Sequence, residues 1–462
     1  MINFQQYPQV TNITIPNNVM LSTTNFTNVF CNMTNLQNLH LPDGVTNIVD
    51  MCNNCSNLTT AVCGPNVIDI SGTYYKCTNL TTAVCGDKVT DMRATYCYCS
   101  NLTTAACGPN VINMRYAYGN CAKLTTAVCG PNVIDMNSTY YNCTNLTTAV
   151  CGDKVTNMYR AYYDCHNLIN AVCGPNVTSM AAAYVLCTNL TTAVCGPNVT
   201  DMSNTYVRCS NLTTAVCGPN VTNMAVTYAN CANLTTAVCG NKVSVLQGTY
   251  QECSNLTTAA CGPNVTRMKY AYSKCTNLIT AACGPNVIDM NCAYYNCSNL
   301  TIAVCGDKVT NMYDTYANCS NLTTAVCGPN VTDMSNTYYN CRNLTTAVCG
   351  PNVTNMSNAY MYCSNICGNT YFYSNSIENV RRCFLSRSTS QALNIYVQAN
   401  TGTNTKLHTT STSSLVGNSI TWTADTTNNC SYNTAYNIYI YPVADVDAAR
   451  IANGDPDYMG NI

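Results

Sequence analysis

Hydrophobic positions recur every 22 residues along most of this chain. Residues 55–76, CSNLTTAVCGPNVIDISGTYYK, show the pattern, and fourteen full copies follow one another without a gap over residues 55–362. Each copy places Cys, Leu, a second Cys, Val, then Met, Ile or Leu, and Tyr at fixed points. Self-similarity of this period is typical of a solenoid, in which each coil buries its apolar side against its neighbours. The pattern therefore predicts a repeat solenoid with one coil per copy.

The first half of each copy predicts a short parallel strand. Leu58, Ala61 and Cys63 take the places of the leucines in residues 36–41, which read L-x-x-L-x-L. We expect these three side chains to point inward and the intervening ones outward, as in a strand with one buried face. A turn over residues 64–66, Gly-Pro-Asn, ends the strand, because Pro fixes φ and Gly allows unusual φ.

The outward positions form three columns of uncharged side chains, which we call the strand face. Its predicted binding residues are Thr59, Thr60, Val62, Thr81, Thr82, Val84, Thr125, Thr126, Val128, Thr213, Thr214 and Val216. A flat apolar surface of this size is typical of a contact with a repetitive partner, either another copy of the chain or a polymer. Two alternatives stay open: recently duplicated copies that never diversified, and ice binding by the threonine array.

The second half of each copy predicts a short helix, a helical turn or an irregular return. Val67, Ile70, Tyr74 and Cys77 are spaced three, four and three residues apart, which gives one apolar side. Ten residues are few for an isolated helix, so stacking between coils must hold it. The repeated tyrosine is predicted to be buried. A second set of tyrosines is expected at the surface, where stacking on sugars is a hypothesis: Tyr75, Tyr141, Tyr163 and Tyr339.

The 36 cysteines fall mostly into two columns, with fifteen in the first and fourteen in the second. Equivalent residues of neighbouring coils should lie about 4.8 Å apart, beyond the Cβ separation of about 3.5–4.5 Å that a disulfide needs. We therefore expect two ladders of reduced thiols. Local pairs are possible exceptions at Cys52 and Cys55 and at Cys97 and Cys99. The CxxC spacing of the first pair has no further ligand nearby in sequence, so no metal or cofactor is predicted.

Residues 331–356, VTDMSNTYYNCRNLTTAVCGPNVTNM, resemble the BspA-like leucine-rich repeat family, whose pattern is V-T-x-M/I, an aromatic residue, then C-x-x-L. The resemblance covers about residues 10–363. The copies here are slightly shorter than is usual in that family, and Ala and Cys replace larger aliphatics in the strand. The resemblance implies a leucine-rich-repeat-like horseshoe or rod with a parallel strand in each turn. It also implies a role in adhesion or recognition, often at a cell surface.

The flanks of the array predict two further regions. Residues 1–54 are interpreted as an N-terminal cap, in which a strand near residue 10 precedes the next by an irregular 26 residues. Residues 55–363 form the regular array. Residues 364–462 lose the motif and predict a small all-β domain. Its predicted strands lie at residues 392–397, 419–424 and 436–441, and Trp422 is expected in its core.

Composition excludes several function classes. Charged residues make up 8% of the chain and the net charge is −1, so no basic surface for nucleic acid is expected. There is no apolar run of membrane-spanning length, and the first ten residues predict no signal peptide. His40, His166 and His408 are far apart in sequence, and no catalytic motif is present, so no enzyme is predicted. The repeated Asn-x-Thr triplets are interpreted as structural, with Asn capping turns or stacking in a ladder.

These observations leave two functional hypotheses. The first is a non-enzymatic repeat protein, extracellular or displayed on a cell surface, that binds a host receptor or a glycan. The second is a structural component, such as a fibre or a phage virion appendage, that self-associates as a homo-oligomer. The family resemblance favours the first hypothesis. The absence of a signal peptide and the separate terminal domain favour the second.

Overall fold

The computed structural model describes residues 6–7, 9–372, 393–398, 423–425, 430–433, 438–443 and 446–453. The chain forms two compact units, Met1–Leu234 and Thr235–Ile462. The first unit contains the N-terminal region and the earlier coils, and the second contains the later coils and a terminal sheet. The regular elements are β1 (Asn12–Thr14), β2 (Asn38–His40), β3 (Gly368–Phe372), β4 (Leu393–Gln398), β5 (Thr423–Asp425), β6 (Cys430–Asn433), β7 (Ile438–Val443) and α1 (Val446–Ala452).

The first unit begins with a two-stranded parallel pair. Strands β1 and β2 are in register, with Ile13 opposite Leu39, which is the irregular 26-residue step predicted from the sequence. The next coil follows directly, because the Thr59 N–H donates to the Gln37 carbonyl at 3.2 Å. The N-terminal strands therefore start the stack on which the regular coils continue.

The regular coils contain parallel bridges where the sequence predicts a strand. In the described coils of both units, pairing at the threonines involves a single residue per coil, as in Thr82 with Thr104 and Thr258 with Thr280. A second column of single-residue bridges runs through positions such as Asp69. The predicted strand of Leu58, Ala61 and Cys63 is therefore too long, although the parallel direction is correct.

A tyrosine hydroxyl explains why the strand is so short. The Val194 N–H donates to the Tyr206 hydroxyl at 2.9 Å, and that hydroxyl donates to the Val194 carbonyl at 2.7 Å. The same double contact, twelve residues apart, joins Val216 to Tyr228. Because the side chain occupies both polar groups of the valine backbone, that residue does not extend the ladder to the next coil. The tyrosine also spans the core from the turns to the threonines.

The second half of each coil is a run of turns, and the predicted helix is wrong. The Thr73 N–H donates to the Ile70 carbonyl of its own coil at 3.1 Å, whereas the next N–H, of Tyr74, donates to Thr95 of the following coil at 2.9 Å. Residues Gly72 and Lys76 have φ of +62° and +60°. Positive φ at the third position of a turn is typical of type II turns. It is incompatible with a right-handed helix.

The core consists of side chains repeated once per coil. In the coil at residues 55–76, Leu58, Val67, Ile70 and Tyr74 are at most 1% exposed. Buried tyrosine rings stack along each unit with centroids 5.4–5.6 Å apart and planes within 12°. The prediction that the repeated tyrosine belongs to the core is confirmed. Offset stacking of this kind adds to the hydrophobic gain from burial.

The repeated Cys-Gly step allows coils to approach closely. A Cβ on Gly108 would lie 2.7 Å from the Gly86 carbonyl oxygen and 3.1 Å from the Cys85 sulfur. The described glycines with positive φ are Gly72, Gly248 and Gly368. The turn at Gly-Pro-Asn therefore needs glycine for space and not for unusual φ, which corrects the reason drawn from the sequence.

The described cysteines from Cys31 to Cys367 are free thiols, including Cys52, Cys55, Cys97 and Cys99. Thiols of the first column are buried and donate to a carbonyl of the neighbouring coil, as Cys99 does to Tyr74 at 3.0 Å. Most thiols of the second column are half-buried, so Cys63 does not point fully inward as predicted. The expected ladders of reduced thiols are present in both units.

Asparagine side chains also form ladders. The Asn79 amide donates to the Asn57 side-chain oxygen at 3.1 Å, and the same contact joins Asn299 to Asn277 at 3.3 Å. In the Gly-Pro-Asn turn, the Asn132 amide donates to the Pro109 carbonyl of the preceding coil at 2.9 Å. The structural interpretation of the repeated asparagines is confirmed.

The second unit ends in a five-stranded mixed sheet with the order β3-β4-β7-β6-β5. The pairs β3–β4 and β4–β7 are parallel, and the pairs β5–β6 and β6–β7 are antiparallel. Strands β4 and β7 overlap the predictions at 392–397 and 436–441. The prediction at 419–424 meets β5 only at residues 423–424, and Trp422 lies outside the described residues. Helix α1 follows the sheet, so the all-β description of this region is not confirmed.

Candidate functional site

The strand face is exposed along the coils that the sequence singled out. Its eight predicted threonines are exposed and its four predicted valines are half-buried. The threonines are Thr59, Thr60, Thr81, Thr82, Thr125, Thr126, Thr213 and Thr214, and the valines are Val62, Val84, Val128 and Val216. Their role in binding stays a prediction.

The two threonines of each pair have different hydrogen-bonding states. The first donates its hydroxyl to the equivalent carbonyl of the preceding coil, as Thr103 does to Thr81 at 3.0 Å and Thr147 does to Thr125 at 3.1 Å. The hydroxyls of Thr82 and Thr126, second in their pairs, form no hydrogen bond within the described residues. The face therefore presents hydroxyls at Thr82 and Thr126 that remain available to a partner, whereas the hydroxyls of Thr192 and Thr346 are hydrogen-bonded.

The strand face varies little between coils. Exceptions among the threonines include Ile169, Ile279 and Ile302, which are 49%, 50% and 57% exposed. Each coil also fixes the valine backbone through the tyrosine hydroxyl described above, so the face is held rigidly. A uniform, rigid and uncharged surface can form apolar contacts and neutral hydrogen bonds, but it carries no titratable group for acid–base chemistry.

Metal and catalytic chemistry have no support in the part of the chain that the structure describes. That part contains no group of three or more His, Cys, Asp or Glu side chains that could hold a metal ion. The His166 Nε2 lies 2.8 Å from the Asp164 carboxylate, His40 is exposed, and His408 lies outside the described residues. Within the described ranges, no helix is both long enough and apolar enough to span a membrane.

A shallow apolar groove in the first unit was missed from the sequence. Ile68, Ile112 and Ile134 are 45–50% exposed and line an open groove of about 550 Å³. The Lys88 and Lys154 ammonium groups lie beside it and donate to asparagine side chains at 2.6 Å. The sequence does contain a signal for this groove: these three copies have Ile at a position where most copies have Thr.

The sequence pointed to part of a second surface, which we call the turn face, through Tyr75, Tyr141, Tyr163 and Tyr339, and the structure places all four half-buried on it. It consists of the four residues of each coil equivalent to Ser71, Gly72, Tyr75 and Lys76, which flank the buried tyrosine. Six of these residues in three successive coils form an aromatic and cationic cluster, the turn patch. The turn patch comprises Arg115, Tyr116, Tyr141, Tyr159, Arg160 and Tyr163.

The turn patch is assembled by ring and cation–π contacts. The Arg160 guanidinium lies 5.1 Å from the Tyr159 ring centroid and 5.6 Å from that of Tyr163. Tyr163 stacks on Tyr141 with centroids 5.0 Å apart. Burial raises the pKa of Tyr141, as do the neighbouring Tyr163 and Asp164, while Arg160 opposes that rise in pKa. Tyr141, Tyr159, Arg160 and Tyr163 therefore form a contiguous group, and Arg115 lies over Tyr116 in a coil nearer the N-terminus.

Two residues of the turn patch occupy a strained backbone position. Tyr116 and Arg160 have φ of +55° and +52°, where Gly72 has +62° in an earlier coil. A left-handed conformation costs an L-residue roughly 1–2 kcal/mol. The same position also has positive φ in coils outside the patch, with +52° at Ala94, +55° at Ala182 and +58° at Val226, so the strain belongs to the repeat and does not by itself mark a functional site.

Comparison with known families and structures supports the repeat architecture. The family model described as a BspA type leucine rich repeat region matches residues 2–125, 110–213, 203–300 and 244–367. A leucine-rich repeat protein from Bacteroides ovatus is similar in structure, with a TM-score of 0.56 and 14% identity over 83% of this chain and 92% of that one. At this level of identity the similarity shows the fold alone. No curated protein matches the chain.

Two further structures are more distant. A leucine-rich repeat protein from Eubacterium ventriosum has a TM-score of 0.39 and 16% identity, covering 56% of this chain and 82% of that one. A leucine rich cell surface protein from Faecalibacterium prausnitzii has a TM-score of 0.34 and 17% identity, covering 78% of this chain and 87% of that one.

Proposed function

Since the chain belongs to the BspA-type leucine-rich repeat family, we propose that it is a non-enzymatic binding protein displayed outside the cell. Its proposed partner is a host-surface receptor or glycan. The observation that carries this proposal is the strand face, which repeats the same two threonines and valine on successive coils. Thr82 and Thr126 present unused hydroxyls on that face, beside the half-buried valines Val84 and Val128.

The chemistry of the strand face suits a partner that is itself repetitive. Most coils offer one hydroxyl and one partly exposed isopropyl group at the same point, and no charge. A polymer with a regular spacing, such as a glycan, meets the same contacts at every coil, so weak contacts add along the face. Desolvation of such a face is inexpensive because it exposes no ionised side chain.

A structural role is the alternative. The same uniform face can pack on a second copy of the chain, which would make the protein a self-associating fibre or virion component and a homo-oligomer. The observation that favours this alternative is the apolar content of the face, since exposed apolar strips are often covered by a partner.

We test both roles by placing charge on the strand face. A variant with Val84→Lys, Val128→Lys and Val216→Lys should lose binding or assembly, because three ammonium groups would have to be desolvated on contact. The matched control changes the same valines to Ala, which the native chain carries at Ala106, Ala260 and Ala282. Circular dichroism checks that both variants keep the fold.

Light scattering after size exclusion distinguishes the two roles. A native oligomer that the lysine variant converts to monomers supports the structural role. A native monomer that binds immobilised glycans or cells, and loses that binding in the lysine variant, supports recognition. If the lysine and alanine variants both behave as the native chain does, the strand face is not the contact surface.

A further inference from the structure

We propose that the turn patch is a second recognition site, which takes a protein partner carrying an acidic surface patch. It lies on the turn face, whose residues flank the buried tyrosine backbone, whereas the strand face lies at the opposite end of that tyrosine side chain. The proposal is therefore separate from the function proposed for the strand face.

Variation between copies identifies the turn face as the surface that can carry specificity. The strand face reads Thr-Thr-Ala-Val in most coils, so most coils present the same surface. The turn face changes from coil to coil: Tyr159 and Arg160 in one coil are followed by Ala181 and Ala182 in the next. A uniform face cannot distinguish one point along the stack from another. A partner that binds one particular coil must contact residues that differ between coils.

The cationic groups of the turn patch are available to a partner. Neither Arg115 nor Arg160 forms an ion pair among the described residues. Arg160 lies over Tyr159 and Tyr163, so its planar guanidinium is positioned before any partner arrives. A guanidinium held in this way binds a carboxylate through two parallel hydrogen bonds. Asp164, the neighbouring acid, already faces His166 at 2.8 Å.

The aromatic groups favour a protein over a glycan. Tyr163 stacks on Tyr141, and Arg160 lies over Tyr159 and Tyr163, so each of these three rings already has a partner within the patch where a sugar would stack. Tyr159 is still 37% exposed. Tyr and Arg are the residues most enriched at the centres of protein interfaces, where rigid side chains lose little entropy.

The test uses a variant that the chain itself suggests. Tyr159→Ala, Arg160→Ala and Tyr163→Val together copy Ala181, Ala182 and Val185 of the following coil, so the variant turn already exists in the protein. The probe is a displayed library of random 12-residue peptides, selected on the native full chain and counter-selected on the triple variant. Enriched peptides are synthesised and their affinities are measured by interferometry.

We expect enriched peptides to contain Asp or Glu beside apolar residues and to bind the triple variant at least tenfold more weakly than the native chain. Their affinity should fall as NaCl rises from 50 to 500 mM, because exposed charge contacts are screened. The lysine variant of the strand face should bind these peptides as the native chain does, which separates this proposal from the first. Circular dichroism confirms that the triple variant is folded.

Three results would overturn the proposal. The library yields no peptide that distinguishes the native chain from the triple variant, or the enriched peptides lack acidic residues. The third is that sulfated or sialylated glycans on an array bind the native chain and lose that binding in the triple variant, while peptides do not bind. That result would assign the patch to a glycan.

Discussion

At the scale of single residues, the buried tyrosine of each coil has two structural roles. Its ring fills the core, and its hydroxyl satisfies both backbone groups of a valine twelve residues earlier, as Tyr162 does for Val150. A backbone N–H and carbonyl that are removed from both solvent and the inter-coil ladder need such a partner. The hydroxyl therefore replaces two hydrogen bonds that a longer strand would have made.

We expect Tyr162→Phe to destabilise its coil by about 2 kcal/mol, because the half-buried Val150 N–H and carbonyl would lose their partner. Hydrogen exchange measures this locally: the Val150 amide should exchange faster, while amides several coils away are unchanged. The matched control is Tyr163→Phe, since the Tyr163 hydroxyl makes no such backbone contact. Equal exchange of Val150 in both variants would contradict the role of the hydroxyl.

Part of this residue-scale chemistry could be predicted from the sequence. Exposure of Thr59 and Thr60 follows from two polar residues in an otherwise apolar stretch, and the core role of Tyr74 follows from its period. The contact between Tyr74 and Val62 could not be predicted, because it depends on how the coil closes over twelve residues. The strained turns could not be predicted either, since Tyr116 and Arg160 lack the Gly or Asn signal of positive φ.

At the scale of the coil, the glycine after each second-column cysteine sets how closely neighbours approach. The Gly174 N–H donates to the Cys151 sulfur at 3.2 Å, and the backbone of the preceding coil passes directly against the glycine. The sequence predicted a turn here correctly but gave a conformational reason for the glycine. Close approach between coils is a property of stacking, which a single copy of the repeat does not reveal.

We expect Gly174→Ala to destabilise the first unit by about 1–3 kcal/mol, as overpacking does. Its Cβ would lie 2.8 Å from the Gly152 carbonyl oxygen and 2.9 Å from the Cys151 sulfur. The control is Gly64→Ala, whose Cβ would meet its nearest atoms at 3.6 and 3.9 Å. Thermal denaturation compares the two variants. The explanation fails if Gly64→Ala lowers the melting temperature as much as Gly174→Ala does.

At the scale of the whole molecule, the thiols make stability depend on pH. Burial raises the pKa of Cys107 and Cys151 to about 12, and that of Cys85 to about 11. An unfolded thiol has a pKa near 8.5. Above about pH 8.5 the unfolded chain therefore releases protons that the folded chain keeps. The free energy of unfolding falls as pH rises from there towards the folded pKa values.

We expect the guanidinium midpoint, measured with a reductant present, to be similar at pH 7 and pH 8 and clearly lower at pH 10. The change should be cumulative, because each coil contributes two thiols. A variant with Cys107→Ala and Cys151→Ala should show a smaller fall between pH 8 and pH 10 than the native chain does. Equal midpoints at pH 7 and pH 10 in the native chain would contradict this account.

The molecule's broad architecture was the most predictable part, and its functional surfaces were the least. A constant period and a constant leucine, such as Leu58 and Leu80, are sufficient to predict stacked coils. The strand face was found because it is constant. Of the turn patch, the sequence pointed only to Tyr141 and Tyr163. The part played by Tyr159 and Arg160 was missed, because their contact depends on how neighbouring coils stack.

Each coil donates its turn N–H groups to the next coil through equivalent backbone atoms, as Gly72 does to Arg93 and Ala94 does to Arg115. Because these hydrogen bonds join backbone atoms, they can form between any two copies whatever their side chains. Deleting or duplicating one whole copy inside a unit would recreate the same junction, so recombination between near-identical copies can lengthen or shorten the protein without a new interface having to evolve. The number of coils can therefore change between relatives without loss of the fold, while substitutions on the turn face of one coil can give that coil its own binding surface.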